Sequence, residues 1–105
     1  MEFSVKREGD KAVVKIIGEI HTPEVKEFGR VLEDNLQNSK GPFVIDASEL
    51  SYMNSAAVGV IAAIQRKLKE SGRDALIIRH PLPAILRLLR VTRLDTVLNV
   101  VEKRH

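Results

Sequence analysis

Apolar residues recur along this chain at two spacings, every second position and every third to fourth, and the changes between them outline its elements. Phe3-Ser4-Val5 and Ala12 to Ile17, rich in Val and Ile, predict two strands. Glu8-Gly9-Asp10-Lys11 between them is turn chemistry, so an antiparallel hairpin is expected, with Gly18 and Glu19 closing its second strand. Thr22 then offers an N-cap hydroxyl, and Pro23 suits the first helical position, where its missing N–H costs nothing. Val25, Phe28, Leu32 and Leu36 follow at helical spacing until Asn38 to Pro42 breaks the helix. Phe43-Val44-Ile45 is a short apolar run with the look of a buried strand, and Asp46 to Asn54 reads as a loop. A second helix is expected from Ser55 to Glu70, its core stripe Ala57, Val60, Ile61, Ile64 and Leu68, stopped by Ser71-Gly72. Ala75 to Ile78 reads as another buried strand and Pro81 to Arg90 as a third helix, with Ile85, Leu86 and Leu89 inward. Leu94 to Leu98 predicts a helical turn, and Asn99 to Glu102 a terminal strand or an extended tail.

This order is an opening hairpin followed by two β-α-β units. Right-handed crossovers place the strands of such units parallel, so the expected fold is mixed α/β, one β-sheet with helices packed on it. At 105 residues, without repeat, linker or low-complexity segment, the chain reads as one domain over 1–105.

Composition narrows the function classes. Cysteine is absent, which removes disulfides, thiolate metal sites and cysteine nucleophiles together and fits a reducing cytoplasm. The longest mostly apolar stretch, Ala56 to Ile64, is far below the ~20 residues of a membrane span. The net charge of +3 is uneven: residues 1–53 carry seven Lys/Arg against ten Asp/Glu, and residues 54–105 carry ten against four. With three Phe, one Tyr and no Trp, base stacking is poorly served, so the basic second half points to an acidic protein partner or a solvated face rather than nucleic acid. The three histidines, His21, His80 and His105, have no paired-ligand spacing, and no Gly-x-Ser-x-Gly elbow surrounds any serine. No metal or cofactor is expected, and a triad of Ser55, Asp46 and a histidine has no support in the spacing. A phosphocarrier role for His21 is disfavoured by Pro23 two residues later, where such carriers hold Arg.

The junction before the second helix carries the chemistry. The first half of that helix is apolar almost all round. Val58 and Ala62 fall off the expected core stripe, and Gly59 costs about 1 kcal/mol against Ala, which favours a close contact there. Either another element of the domain covers this face or a second protein docks on it. Ser55 is placed at or next to the helix start, where either it is the N-cap or Asn54 caps and Ser55 is the first residue inside; beside free N–H groups and the positive end of the helix dipole, the same place suits a phosphate.

The stretch Val44-Ile45-Asp46-Ala47-Ser48-Glu49-Leu50-Ser51-Tyr52-Met53-Asn54-Ser55-Ala56-Ala57-Val58-Gly59-Val60 resembles the signature of STAS domains, and in particular of bacterial anti-sigma factor antagonists. Gly18-Glu19-Ile20, Gly72-Arg73, the helix from Pro81 and the corner Thr92-Arg93-Leu94-Asp95, similar to the family's Thr-Gly-Leu-Asp, extend the resemblance over nearly the whole chain. It implies that Ser55 accepts a phosphate. It also implies a partner, an anti-sigma factor serine kinase that holds the ATP, and a phosphatase that resets the site. Unmodified protein would bind the kinase and release a sigma factor. The implied docking surface is Asn54, Ala56, Val58, Gly59 and Ala62, bordered by His21, Thr22 and Glu24. Asn54 stands where the family has Asp, and Ala56 replaces its second Ser. A free-standing STAS subunit of a transporter or stress-signalling complex is the alternative the resemblance leaves open.

Overall fold

The computed structural model describes residues 1–103. Strands β1 (Glu2–Glu8) and β2 (Lys11–Ile20) pair antiparallel around the Gly9 turn. From β2 onward every neighbour is parallel: β3 (Phe43–Met53), β4 (Ile77–Arg79) and β5 (Asn99–Val101) follow in chain order, giving a five-stranded sheet β1-β2-β3-β4-β5. Helix α1 (Thr22–Gln37) connects β2 to β3, and α2 (Ser55–Glu70) connects β3 to β4. Helix α3 (Pro83–Val91), with a single 3-10 turn at Leu94–Thr96, connects β4 to β5. The mixed α/β sheet with its hairpin is as expected. The chain end adds a third strand–helix–strand unit, because Asn99, Val100 and Val101 pair with Ile77, Ile78 and Arg79.

Parallel strands laid down in sequence order by crossovers of one hand put every helix on the same face. That face holds the core: Val14, Ile16, Phe43, Ile45 and Ile78 from the sheet meet Phe28 and Leu32 of α1, Ile61 and Ile64 of α2, and Ile85 and Leu89 of α3. Fully burying a side chain of this size is worth about 1.5–3 kcal/mol. The opposite sheet face carries charge. There Arg79 makes a two-pronged ion pair with Glu8, both contacts 3.2 Å, and Lys15 lies 2.5 Å from Glu49. Arg73 ties the two lower loops together, donating to the carbonyls of Leu36 at 3.1 Å and Gly41 at 2.7 Å and to Ser39 Oγ at 3.2 Å.

Several boundaries differ from the sequence reading, each for a physical reason. The expected loop from Asp46 to Asn54 is mostly strand: β3 runs on to Met53, paired with β2 as far as Ile20↔Met53. Two register shifts, between Lys15 and Ile17 and between Gly18 and Glu19, hide the alternation that would have marked it. Gly18, at φ +97°, takes a backbone conformation that other residues adopt only with strain, so the second strand passes through it and ends at Ile20. The third helix begins at Pro83 and not Pro81, because Leu82, as the residue before a proline, is held extended (φ −64°, ψ 156°). Strand β4 starts at Ile77, since the N–H of Leu76 is taken by the Gln65 side chain at 2.8 Å.

Candidate functional site

Strands β2 and β3 end side by side, Ile20 opposite Met53, and each hands the chain to a helix start. The two helix starts are tied together. The backbone N–H of Asn54 donates to the carbonyl of Ile20 at 3.2 Å, and its side-chain Nδ2 donates to Thr22 Oγ1 at 3.3 Å. Asn54 is also the N-cap of α2, its Oδ1 accepting from the Ala57 N–H at 2.9 Å. The cap of α1 is His21 rather than Thr22, which becomes the first helical residue. Glu24 stabilises that start by accepting from the His21 N–H at 2.9 Å. The Thr22 hydroxyl is thereby free to face Asn54.

Ser55 is the first residue of α2 and is exposed. At this position its own N–H and that of Ala56 have no intrahelical acceptor, and the first turn of α2 contains no acidic side chain. The site therefore presents a hydroxyl beside two backbone donors at the positive end of a sixteen-residue helix dipole. Asp46 is remote from it in orientation. It follows the core-facing Ile45, so it lies on the charged face, opposite Lys15 and Arg79. Ser55 thus offers an exposed hydroxyl at the helix start, and the Asp46 carboxylate belongs to the other face of the sheet.

The implied docking residues divide on inspection. His21, Thr22, Ser55, Ala56 and Gly59 are exposed, while Glu24, Asn54 and Ala62 are half-buried. Val58 is a correction: at 8% exposure it belongs to the core, with Ala57 and Ile61. The core stripe of α2 is rotated accordingly, and Val60 turns half-exposed toward α1, where Gly29 leaves room for it. The apolar surface beside Ser55 is thus made of small residues, Ala56, Gly59 and Ala63, and among the described residues nothing lies within 4 Å of where a Cβ on Gly59 would sit.

Two residues of this surface escape a reading of the sequence. Tyr52, 44% exposed, stacks on the His21 ring with centroids 4.8 Å apart and planes at 27°. Glu19 Oε1 lies 2.6 Å from His21 Nε2. The signal that places them is the Glu19↔Tyr52 register, which exists only once β3 is known to extend past Asp46. His80 sits after β4 at φ +53° and takes no part here, and His105 lies outside the described residues. Among the described residues no group of three or more His, Asp or Glu side chains could hold a metal ion. No helix among them is long and apolar enough to cross a membrane.

A family model described as "Mlab, STAS domain" matches residues 3–102. The chain belongs to the STAS domain family. Solved structures share the fold of this STAS domain at low identity. A Thermotoga maritima protein assigned as a candidate anti-sigma factor antagonist superposes with a TM-score of 0.87 at 20% identity, over 96% of this chain and 86% of that one. An anti-sigma factor antagonist from Mycobacterium paratuberculosis gives 0.84 at 22% identity, over 97% and 86%. The phosphorylated form of the Bacillus cell fate determinant SpoIIAA gives 0.74 at 17% identity, over 97% and 93%.

Proposed function

We propose that this STAS domain is an anti-sigma factor antagonist: a binding protein, not an enzyme, that docks on an anti-sigma factor serine kinase in the cytoplasm and so releases a sigma factor for transcription. Phosphorylation of Ser55 switches the docking off, and a phosphatase restores it. The observation that carries the reading is the exposed Ser55 hydroxyl at the first position of α2, bordered by Ala56 and Gly59 and by the linked pair Asn54 and Thr22. His21 and Glu24 form the neighbouring rim, and Ala62 continues the surface one to two turns along the helix. The family resemblance to anti-sigma factor antagonists, one of them known in a phosphorylated form, supports the same role.

In the transfer, Ser55 Oγ forms a bond to the terminal phosphorus of ATP held by the kinase as the bond to ADP breaks. The hydroxyl proton passes to a base on the kinase. The product adds about −1.5 to −2 charges at a helix start that tolerates them, so the fold survives while the docking surface changes. Driving a partner from about 99% bound to about 1% takes about 5.5 kcal/mol of differential affinity. Surface charge is screened over about 8–10 Å, so the bulk of the phosphate among small side chains must supply much of that difference.

Affinity purification from the native cells, with intact-mass analysis of the bait, tests this directly. The expected result is an ATP-binding serine kinase as the captured partner, one added phosphate on the wild type after incubation with that kinase and ATP, and none on Ser55→Ala, which still binds. Phosphate uptake by Ser55→Ala at the wild-type rate would sink the site assignment. Asn54 and Ala56, which stand where the antagonist pattern has Asp and Ser, favour one second reading, a free-standing subunit of a transporter or stress-signalling complex. Capture of a membrane transporter in place of a kinase decides for it.

A further inference from the structure

The two edges of the sheet are unlike. Strand β5 spans three residues, short enough to blunt pairing with other chains, whereas β1 runs for seven with every residue exposed. An edge strand of that length turns the N–H and C=O groups of alternate residues outward, unpaired. On the helix-bearing face β1 presents Phe3 and Val5, which lie beside the core residues Ile16 and Val14 yet remain 41% and 44% exposed. On the other face it presents Glu2, Ser4 and Lys6, and among the described residues neither Glu2 nor Lys6 has an ion-pair partner, unlike Glu8 and Lys15 on the same face.

We propose that β1 is the interface for a second copy of this chain, pairing antiparallel with its counterpart about a two-fold axis through Ser4. The argument is one of register. A two-fold axis normal to the sheet keeps each copy's helices on the same side, so residues facing each other across the axis must point to the same face. That permits centres at single residues only. Centred on Val5, the pairing opposes Glu2 to Glu8 and Phe3 to Arg7, setting carboxylate against carboxylate and an aromatic ring against a cation's stem. A centre at Lys6 brings the two Lys6 ammoniums together. About Phe3, Glu2 meets Ser4 and the strand overlap shrinks to a few residues. The Ser4 centre satisfies both faces at once: Glu2 of each copy meets Lys6 of the other, and Phe3 of each meets Val5 of the other. The segment Glu2-Phe3-Ser4-Val5-Lys6 is therefore self-complementary in charge and in apolar character, and directly opposed cross-strand pairs of both kinds are stabilising.

The pairing joins two five-stranded sheets into one continuous sheet and covers Phe3 and Val5 with their counterparts. Because the strands of the two copies run in opposite directions, the two Ser55-bearing helix starts lie at opposite ends of the joined sheet. Each stays open to its own partner, so the dimer stands whether or not Ser55 is a phosphorylation site.

Sedimentation equilibrium of the full chain over a wide concentration range, with charge-swapped variants, tests the proposal. The wild type is expected to show a reversible monomer–dimer equilibrium. Glu2→Lys alone, or Lys6→Glu alone, places like charges in both symmetric contacts and is expected to raise the dimer dissociation constant at least about tenfold. Mixing these two variants restores complementary contacts, so they are expected to form a heterodimer of near wild-type strength, and the double variant Glu2→Lys/Lys6→Glu a homodimer. That rescue requires two folded proteins, so misfolding cannot imitate it. A wild type that stays monomeric to about millimolar concentration overturns the proposal, as does a dimer indifferent to either single reversal or a mixture that fails to associate.

Discussion

Arg93 holds a left-handed backbone, φ +62° and ψ 15°, in the corner between α3 and the turn that follows. The carbonyls of Arg90 and Arg93 accept from Arg93 and Thr96 N–H groups there, at 3.1 and 3.2 Å, so the conformation is enforced by the turn and not by the arginine. A side chain in this region costs about 1–2 kcal/mol, which glycine avoids. Glycine gives back part of that through the greater freedom of its unfolded chain. Arg93→Gly is therefore expected to stabilise the fold by about 0.5–1 kcal/mol, read as a higher urea midpoint at unchanged slope. An unchanged or lowered midpoint contradicts the strain argument. At this scale much is legible in advance: Thr92-Arg93-Leu94-Asp95 marks the corner by its resemblance to Thr-Gly-Leu-Asp, and the sequence narrows the cap of α2 to Ser55 or Asn54, of which the structure selects Asn54. What escapes is the second use of a side chain. That Asn54 caps one helix and reaches Thr22 of another depends on a contact between residues 32 apart in the chain.

At the scale of elements, α2 joins fold and surface. One face buries Ala57, Val58, Ile61, Ile64 and Leu68, and the opposite side carries Ala56, Gly59 and Ala63. Gly59 lies in a helix interior where, among the described residues, open space surrounds its missing Cβ, so none of their packing requires it. Gly59→Ala is accordingly expected to stabilise the protein by up to about 1 kcal/mol through helix propensity alone. Under the proposed docking the same methyl stands between two surfaces in contact, so partner affinity falls while thermal stability rises. A stability gain with unchanged affinity for the captured kinase would show that the partner does not approach Gly59. The helical period placed α2 correctly from Ser55 to Glu70. Val58 and Val60 differ from that reading, because a period locates a stripe only to within a residue, and the packing of α2 against α1 and the shared core settles its rotation. The far half of β3 is hidden in the sequence for the corresponding reason, since a bulged ladder breaks the two-residue alternation by which a strand is recognised.

At the scale of the whole molecule, three displaced pKa values lie together on the open face of the sheet. Burial by itself would raise the Asp46 carboxyl, but hydrogen bonding from Ser48 and the nearby Lys15 and Arg79 cations outweigh it and hold its pKa below the ordinary carboxylate range. Glu8 is lowered as well, chiefly by its hydrogen bonds to Arg79. Lys15 is raised, first by its hydrogen bond to Glu49 and then by that residue's charge. For the two carboxylates the unfolded chain takes up protons first as pH falls. Their contribution is whole above about pH 4–5 and is lost as the pH drops through the folded-state values. For Lys15 the sign reverses: its contribution is whole below the ordinary lysine pKa of about 10.4 and is lost as the pH rises through the folded value. Stability is expected to plateau between these limits. Asp46→Asn lowers that plateau and flattens the acid limb, measured as urea midpoints from pH 3 to pH 7. An acid limb as steep as the wild type's in Asp46→Asn would contradict the assignment.

The sequence by itself determined the class of fold, the opening hairpin, the three helices and the place of Ser55 at a helix start, because these follow from local periodicity, turn chemistry and capping, which act between residues near in the chain. Its resemblance to STAS domains fixed the family in the same way, through an ordered run of short motifs. Only the tertiary structure decided that β3 continues to Met53, that Tyr52 stacks on His21 and Glu19 bonds it, that Val58 is core, and that β1 stands as a long open edge. Each of these depends on which distant segment lies alongside, and register and burial are set by pairing and packing across the sheet, which no local pattern encodes.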